Sequence, residues 1–321
     1  MAMIRLAQFI AAAMLLLAGC TASTPALPPA GDTSQIHDLV AGPGGADFLS
    51  SLSTYKWPDG GASAAGLFGW IPRDAASTDS VVATRAGETA HALARFLGTH
   101  ESELLSVRTG RFGLKHRDLG ALNPKLVQGY AAALTPFQGA IACDSSNSRG
   151  FDLLGEDCAS AIVYARSIFT LLNTDPVAAS DFSEAAYRHM DAYIERFAEG
   201  VGKRAATFPQ GPQVAGRLLG LVTVGASRSG IKVPTVQDAE NRAYYLTAKA
   251  VLPKGTNPGL PPEYFANGEL MSPEDIDKKL GSDALADYYA SLATYLRGVD
   301  DAESHISKDL RQAYWAATGK P

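Results

Sequence analysis

The sequence predicts an all-α fold, a single bundle of about eight or nine helices. Apolar residues recur at three- and four-residue spacing, as in the stretch 86–97, which is the period of an amphipathic helix. A capping residue followed by proline, as at Asn123-Pro124, marks helix starts. The single β-like run, LGLVTVG at 219–225, is equally consistent with the end of a helix. We find no fixed internal period, so a genuine repeat solenoid is not expected.

In chain order, the pattern predicts a weak helical stretch over 34–55 and a turn-rich aromatic segment over 56–76. A helix over 79–105 and an irregular stretch come next. Asn123 then caps a helix that should kink at Pro136, because proline removes a backbone donor. The predicted helices are 79–105, 123–142, 157–173, 174–199, 209–226, 233–251, 273–280, 283–299 and 300–317.

The N-terminal residues have the layout of an export signal. Arg5 precedes an apolar run over 6–17 that is too short to span a bilayer. The run ends in Leu-Ala-Gly-Cys at 17–20, which resembles the lipobox of bacterial lipoproteins. The resemblance implies a signal peptide over 1–19 and a mature chain that starts at acylated Cys20, held at the membrane by its acyl chains. The alternative is an ordinary secretory signal.

After the signal, residues 20–33 are predicted to form the acylated cysteine and a flexible tether, since TASTPALPPA is rich in Pro, Ser and Thr. The rest, 34–321, is predicted to be one all-α domain. The hydrophobic fraction of 46% suffices for a sizeable core. The net charge is −5, and Lys and Arg are scattered along the chain. We therefore expect no nucleic-acid partner, and an anionic lipid surface is also a poor candidate.

The chain has three cysteines, and Cys20 belongs to the lipobox. In an exported protein the other two, Cys143 and Cys158, are expected to form a disulfide. Closing a loop of this size contributes about 3 kcal/mol in the chain-entropy model. Two buried free thiols, or a pair of metal ligands, are the alternatives.

No catalytic constellation is apparent. The six histidines do not stand at metal-ligand spacing, and Gly-x-Ser-x-Gly is missing from the sequence. We expect no catalytic residue, no metal site and no cofactor.

The segment YKWPDGGASAAGLFGWI at 55–71 combines a turn with large aromatic side chains. Asp-Gly-Gly permits a tight turn, and the aromatic residues offer apolar area. Two interpretations are open, a cap on the core of the bundle or an exposed patch that docks a partner. The residues of this docking or capping segment are Trp57, Asp59, Gly60, Gly61, Phe68 and Trp70.

Together with three further segments, this stretch resembles the helical domain of a family of secreted actinobacterial, mycobacterial-type proteins labelled "TPR repeat region-containing". The resemblance implies an all-α domain of an exported protein without established catalytic residues. Some members of that family occur near type VII secretion systems and toxin-like modules. The other segments are LNPKLVQGYAAALTPFQGAIACD (122–144), RGFDLLG (149–155) and FTLLNTDPVAASDF (169–182).

These observations favour an exported lipoprotein on the outer face of the cell membrane or in the cell envelope. Its domain would bind or scaffold an exported or envelope protein. One alternative is an envelope enzyme, which a pocket holding His91 or His189 beside a carboxylate would favour. The other is a carrier of an apolar ligand, which a large cavity lined by Leu, Ile and Phe would favour.

Overall fold

A computed structural model describes residues 24–110, 113–144, 149–203, 210–252 and 259–319. Of these residues 71% lie in helices and 4% in strands, which confirms the all-α class. None of the described helices is long and apolar enough to cross a membrane. The predicted signal peptide over 1–19 and the predicted acylation site Cys20 lie outside the described residues.

The first part of the chain has nine α-helices within the described residues. They are α1 Thr33–Ala41, α2 Gly45–Thr54, α3 Ala62–Ala65, α4 Ile71–Ala75, α5 Ser80–Thr99, α6 Glu101–Leu104, α7 Leu119–Leu122, α8 Pro124–Leu134 and α9 Gln138–Ile141. The later helices are α10 Cys158–Leu172, α11 Pro176–Gly202, α12 Gly211–Ser229, α13 Val236–Val251, α14 Pro273–Leu280, α15 Ala284–Arg297, α16 Ala302–Ser304 and α17 Leu310–Thr318.

Shorter elements join these helices. Three are 3₁₀ turns, Gly66–Phe68, Thr135–Phe137 and Pro262–Tyr264, and a π turn over His305–Asp309 connects α16 to α17. Two antiparallel hairpins were not predicted from the sequence. Their strands are β1 Val107–Thr109 with β2 Lys115–Arg117, and β3 Phe265–Ala266 with β4 Glu269–Leu270.

Along the described chain the helices outnumber the eight or nine predicted, because predicted segments are divided. The helix expected over 123–142 ends at Leu134, turns through a 3₁₀ segment around Pro136 and resumes as α9. Proline lacks the N–H that a continuous α-helix needs at this position. The turn-rich segment 56–76 contains the short helices α3 and α4.

Side-chain caps set the helix starts. The Asp79 carboxylate accepts the first free N–H groups of α5. Asp157 with Ser160 forms a capping box at α10, and Thr235 with Asp238 forms another at α13. Such caps satisfy backbone donors that have no partner inside the helix.

One hydrophobic core runs through the domain, and α12 lies near its centre, packed against α10, α11 and α17. A Cβ atom on Gly216 would overlap the main chain at Leu310, so the backbones of α12 and α17 approach closely there. The central apolar side chains of α12 are fully buried, namely Leu218, Leu219, Leu221 and Val222.

The described part of the predicted tether contacts the domain. The Thr24 hydroxyl lies 2.9 Å from the Tyr55 hydroxyl, and Leu27 packs against the core. Asp32 caps α1, which begins at Thr33, one residue before the predicted domain boundary.

Candidate functional site

The two cysteines of the domain form the predicted disulfide. Cys143 and Cys158 are joined, with their Cα atoms 5.7 Å apart, within the normal range for such a bond. The bond ties the end of α9 to the first residue of α10. It therefore fixes both ends of the loop between them.

The described part of this loop lies directly on α5. A Cβ atom on Gly87 of α5 would overlap the carbonyl of Arg149, and one on Gly150 would overlap the carbonyl of Thr84. Gly150 also has a positive φ of 75°, which glycine adopts without strain. Phe151 is buried and stacks on Phe137 with ring centroids 5.1 Å apart. The described part of the loop is thus held to the core by the buried side chains of Phe151 and Leu154.

Next to the disulfide lies a cleft of about 460 Å³, which we name the arginine cleft. Its walls come from the first turns of α10, the first turns of α12 and one face of α17. The lining residues are Cys158, Ala159, Ile162, Arg166, Gln210, Gln213, Arg217, Asp309, Gln312, Ala313 and Ala316. Its volume is in the range of small-molecule sites.

Two guanidinium groups face this cleft. Arg217 donates from Nη1 to the carbonyl of Ala142 at 3.2 Å. Arg166 donates to Ala317 at 2.7 Å and to Ala316 at 2.6 Å, carbonyls at the end of α17. Within the described residues neither arginine is in an ion pair closer than 4.0 Å.

Burial lowers the pKa of the Arg217 guanidinium, and the carboxylate of Asp144 acts in the opposite sense. Asp144 itself accepts a 2.5 Å hydrogen bond from the Tyr193 hydroxyl. The cleft also contains the carboxylate of Asp309, 3.4 Å from His305. Two cations, one carboxylate and three glutamine amides make the cleft polar and net positive.

The docking or capping segment belongs to the core. Trp57 and Trp70 are each 6% exposed and Phe68 is fully buried. Both indole N–H groups are satisfied inside the protein, by the carbonyls of Leu52 and Leu67 at 2.8 Å. This geometry favours the capping interpretation over an exposed aromatic patch.

The turn in the same segment is built from Asp59, Gly60 and Gly61. The Asp59 carboxylate accepts the N–H of Gly61 at 2.9 Å and that of Ser63 at 2.8 Å, and these bonds, with the Ser63 hydroxyl, lower its pKa. Gly60 and Gly61 have φ of 68° and 89°. A Cβ atom on Gly61 would lie 2.7 Å from Cβ of Leu126, so the turn packs tightly on α8.

Of the two histidines whose place in a pocket beside a carboxylate would favour an enzyme, His91 has Asp152 near enough to act on its pKa, against the larger effect of burial. His91 packs edge-on against Phe151 at 5.3 Å, and burial lowers its pKa. Burial also lowers the pKa of His189, which hydrogen-bonds the main chain at Thr135. Neither lines the arginine cleft. Among the described residues no group of three or more His, Cys, Asp and Glu side chains could hold a metal ion.

A second, larger cleft of about 680 Å³ lies along α15. Its walls include Asp287, Ser291, Thr294 and Tyr295, and loop residue Leu260. Polar groups alternate with apolar ones, so this cleft does not have the Leu, Ile and Phe lining that an apolar carrier requires.

The hairpin of β1 and β2, which we name the basic hairpin, carries a concentration of cations. Arg108, Lys115 and Arg117 are all exposed, and so is Leu114, with 79% of its surface accessible. No Asp or Glu occurs in the sequence between Glu103 and Asp118. The net charge of the whole chain does not reveal this cluster, because acidic residues elsewhere outweigh it.

No protein family, curated protein or solved structure matches this chain.

Proposed function

We propose that the chain is an exported lipoprotein, anchored through acylated Cys20 to the outer face of the cell membrane. The observation that supports it is the distribution of the three cysteines. Cys143 and Cys158 form a disulfide, a bond that persists in oxidising compartments outside the cytosol. The remaining cysteine is the one at the end of Leu-Ala-Gly-Cys, where an acyl anchor would be attached.

We further propose that the domain is a binding or scaffolding module for another exported or envelope protein, with the arginine cleft as its binding site. Charged and amide side chains around a cleft suit recognition of a polar, acidic segment. Membership of the "TPR repeat region-containing" family is part of the same proposal.

The anchor is tested by metabolic labelling of cells with radioactive palmitate. We expect the wild-type chain to carry label and to sediment with membranes, and Cys20→Ala to lose both properties. The double variant Cys143→Ser/Cys158→Ser is the control and should stay labelled. An unlabelled wild-type chain would refute the anchor.

The binding role is tested by a photo-crosslinking amino acid placed at Gln312, in the arginine cleft. The control position is Lys278, which is exposed on α14. A discrete crosslinked product from the first position, lost when Arg217→Gln is added, is the expected result. Identical products from both positions would show that the cleft is not the site.

A further inference from the structure

The basic hairpin has the composition of a membrane-contacting element. Three exposed cations lie on its two strands, Arg108 on one face and Lys115 and Arg117 on the other, and the exposed Leu114 immediately precedes Lys115. Of the large apolar side chains exposed in the described part of the chain, Leu114 has the greatest accessible fraction. Cations around an exposed apolar residue are the pattern of segments that lie in the headgroup region of a bilayer.

The three cations of the hairpin are exposed to solvent. Within the described residues, none of the three takes part in an ion pair. The chain as a whole has a net charge of −5, so the hairpin is a local exception. An anionic surface would therefore attract the basic hairpin and repel the remainder of the domain, which carries a net negative charge.

Chain length limits how far the hairpin can lie from the point where the N-terminal segment reaches the domain. Tyr55 contacts both sides: its hydroxyl meets Thr24, and its carbonyl accepts from Asn123 at 2.8 Å. Arg117 precedes Asn123 by six residues, a separation of at most about 20 Å. Cys20 precedes Thr24 by four residues, at most about 14 Å. These bounds leave the hairpin within reach of the membrane that would carry an anchor at Cys20.

We infer that the basic hairpin docks on anionic phospholipid headgroups of the membrane that carries the acyl anchor, with Leu114 entering the interface. The inference rests on the proposed function, because the anchor supplies the proximity. Docking of the hairpin would orient the domain with this face against the bilayer. The arginine cleft is on other elements, α10, α12 and α17, and stays available to a partner.

The test uses the full lipidated chain in vesicles of phosphatidylcholine alone or of a phosphatidylglycerol–phosphatidylcholine mixture. Amide hydrogen exchange of residues 107–110 and 113–117 is measured on both kinds of vesicle. We expect slower exchange only on the anionic vesicles. Lys115→Gln/Arg117→Gln should weaken docking about 30-fold, which corresponds to about 1 kcal/mol for each cation.

The matched control, Arg188→Gln/Lys278→Gln, also removes one exposed arginine and one exposed lysine and should keep the protection. Leu114→Ser should reduce it. Equal exchange on both kinds of vesicle would overturn the inference while leaving the anchor intact. Slower exchange of the hairpin amides in the presence of soluble polyglutamate, without vesicles, would also overturn the inference. It would indicate that the hairpin binds an acidic protein instead of a membrane.

If the chain does not insert into vesicles, the proposal of an acyl anchor is refuted. Docking of the hairpin is then tested on its own. The Cys20→Ser chain is then sedimented with the same vesicles at low salt. Pelleting with anionic vesicles that Lys115→Gln/Arg117→Gln abolishes supports the hairpin. A chain that stays in the supernatant overturns it.

Discussion

The side-chain amide of Asn123 holds the main chain at Trp57, whose N–H it accepts at 3.1 Å. The same amide donates to the carbonyls of Ser53 at 3.1 Å and Tyr55 at 2.8 Å. Asn123 is fully buried, and its bonds to Trp57 and Ser53 are buried with it, whereas the bond to Tyr55 is partly buried. One residue before α8 thereby joins the end of α2 to the start of the turn-rich segment.

Asn123→Ala should lower the free energy of unfolding by at least about 3 kcal/mol, because each buried group left without a partner costs about 1–3 kcal/mol. Urea unfolding followed by circular dichroism measures this. The control is Asn241→Ala, which removes an exposed bond to Gln237 and should cost under about 0.5 kcal/mol. Equal losses for the two variants would contradict the role of Asn123.

Two glycines of the same segment should respond oppositely to alanine. Gly61 has φ 89° and no room for a Cβ atom beside Leu126, so Gly61→Ala should destabilise the protein by about 2 kcal/mol or more. Gly66 has φ −55° and nothing within 4 Å of the added atom. Gly66→Ala should be neutral or stabilise by up to about 1 kcal/mol. Thermal unfolding of both variants checks the contrast, and a stabilising Gly61→Ala would refute it.

The disulfide closes a sequence separation of 15 residues. Cys143→Ser/Cys158→Ser should lower the free energy of unfolding by about 3 kcal/mol through the greater freedom of the unfolded chain. Reducing agent should lower the stability of the wild type by a similar amount and leave the double variant unchanged. A variant as stable as the oxidised wild type would show that the bond contributes nothing.

His91 should make stability depend on pH. Burial lowers its pKa in the folded protein, whereas in the unfolded chain the pKa is about 6.5. Below that value the unfolded chain gains a proton that the folded protein does not, so stability falls as pH falls toward the lowered pKa.

In the His91→Gln variant this component should be missing. The difference in unfolding free energy between the wild type and the variant should be constant above about pH 7.5. Below pH 6.5 it should change in the variant's favour by up to about 1.4 kcal/mol per pH unit. A difference that does not vary with pH would contradict the prediction.

The helical class and most helix starts could be predicted from the sequence because they depend on local signals. Proline after Asn123 and after Asp175 marks starts that the structure places at Pro124 and Pro176. The disulfide also follows from the number of cysteines left in a chain that is expected to be exported. In each case the information lies within a few residues or within one residue type.

The basic hairpin and the arginine cleft could not be predicted in this way. The hairpin strands are three residues each, too short to show an alternating pattern. The cleft joins Arg166 to Arg217 across three helices, and such long-range pairing leaves no trace in local periodicity. For the hairpin, the sequence offers one signal, the basic run at 108–117. The net charge of the whole chain does not show this run.

The packing of Gly87 against the carbonyl of Arg149 defines a signature by which distant relatives of this chain could be recognised. Any side chain at Gly87 or Gly150 would push the loop away from α5, so both positions should stay glycine together. The rest of the core can exchange one apolar residue for another of similar volume. Gly87, the buried Asn123 and a Gly150 enclosed by the two cysteines form a pattern that should outlast overall sequence identity. A search built on this pattern would reach further than one built on the whole chain.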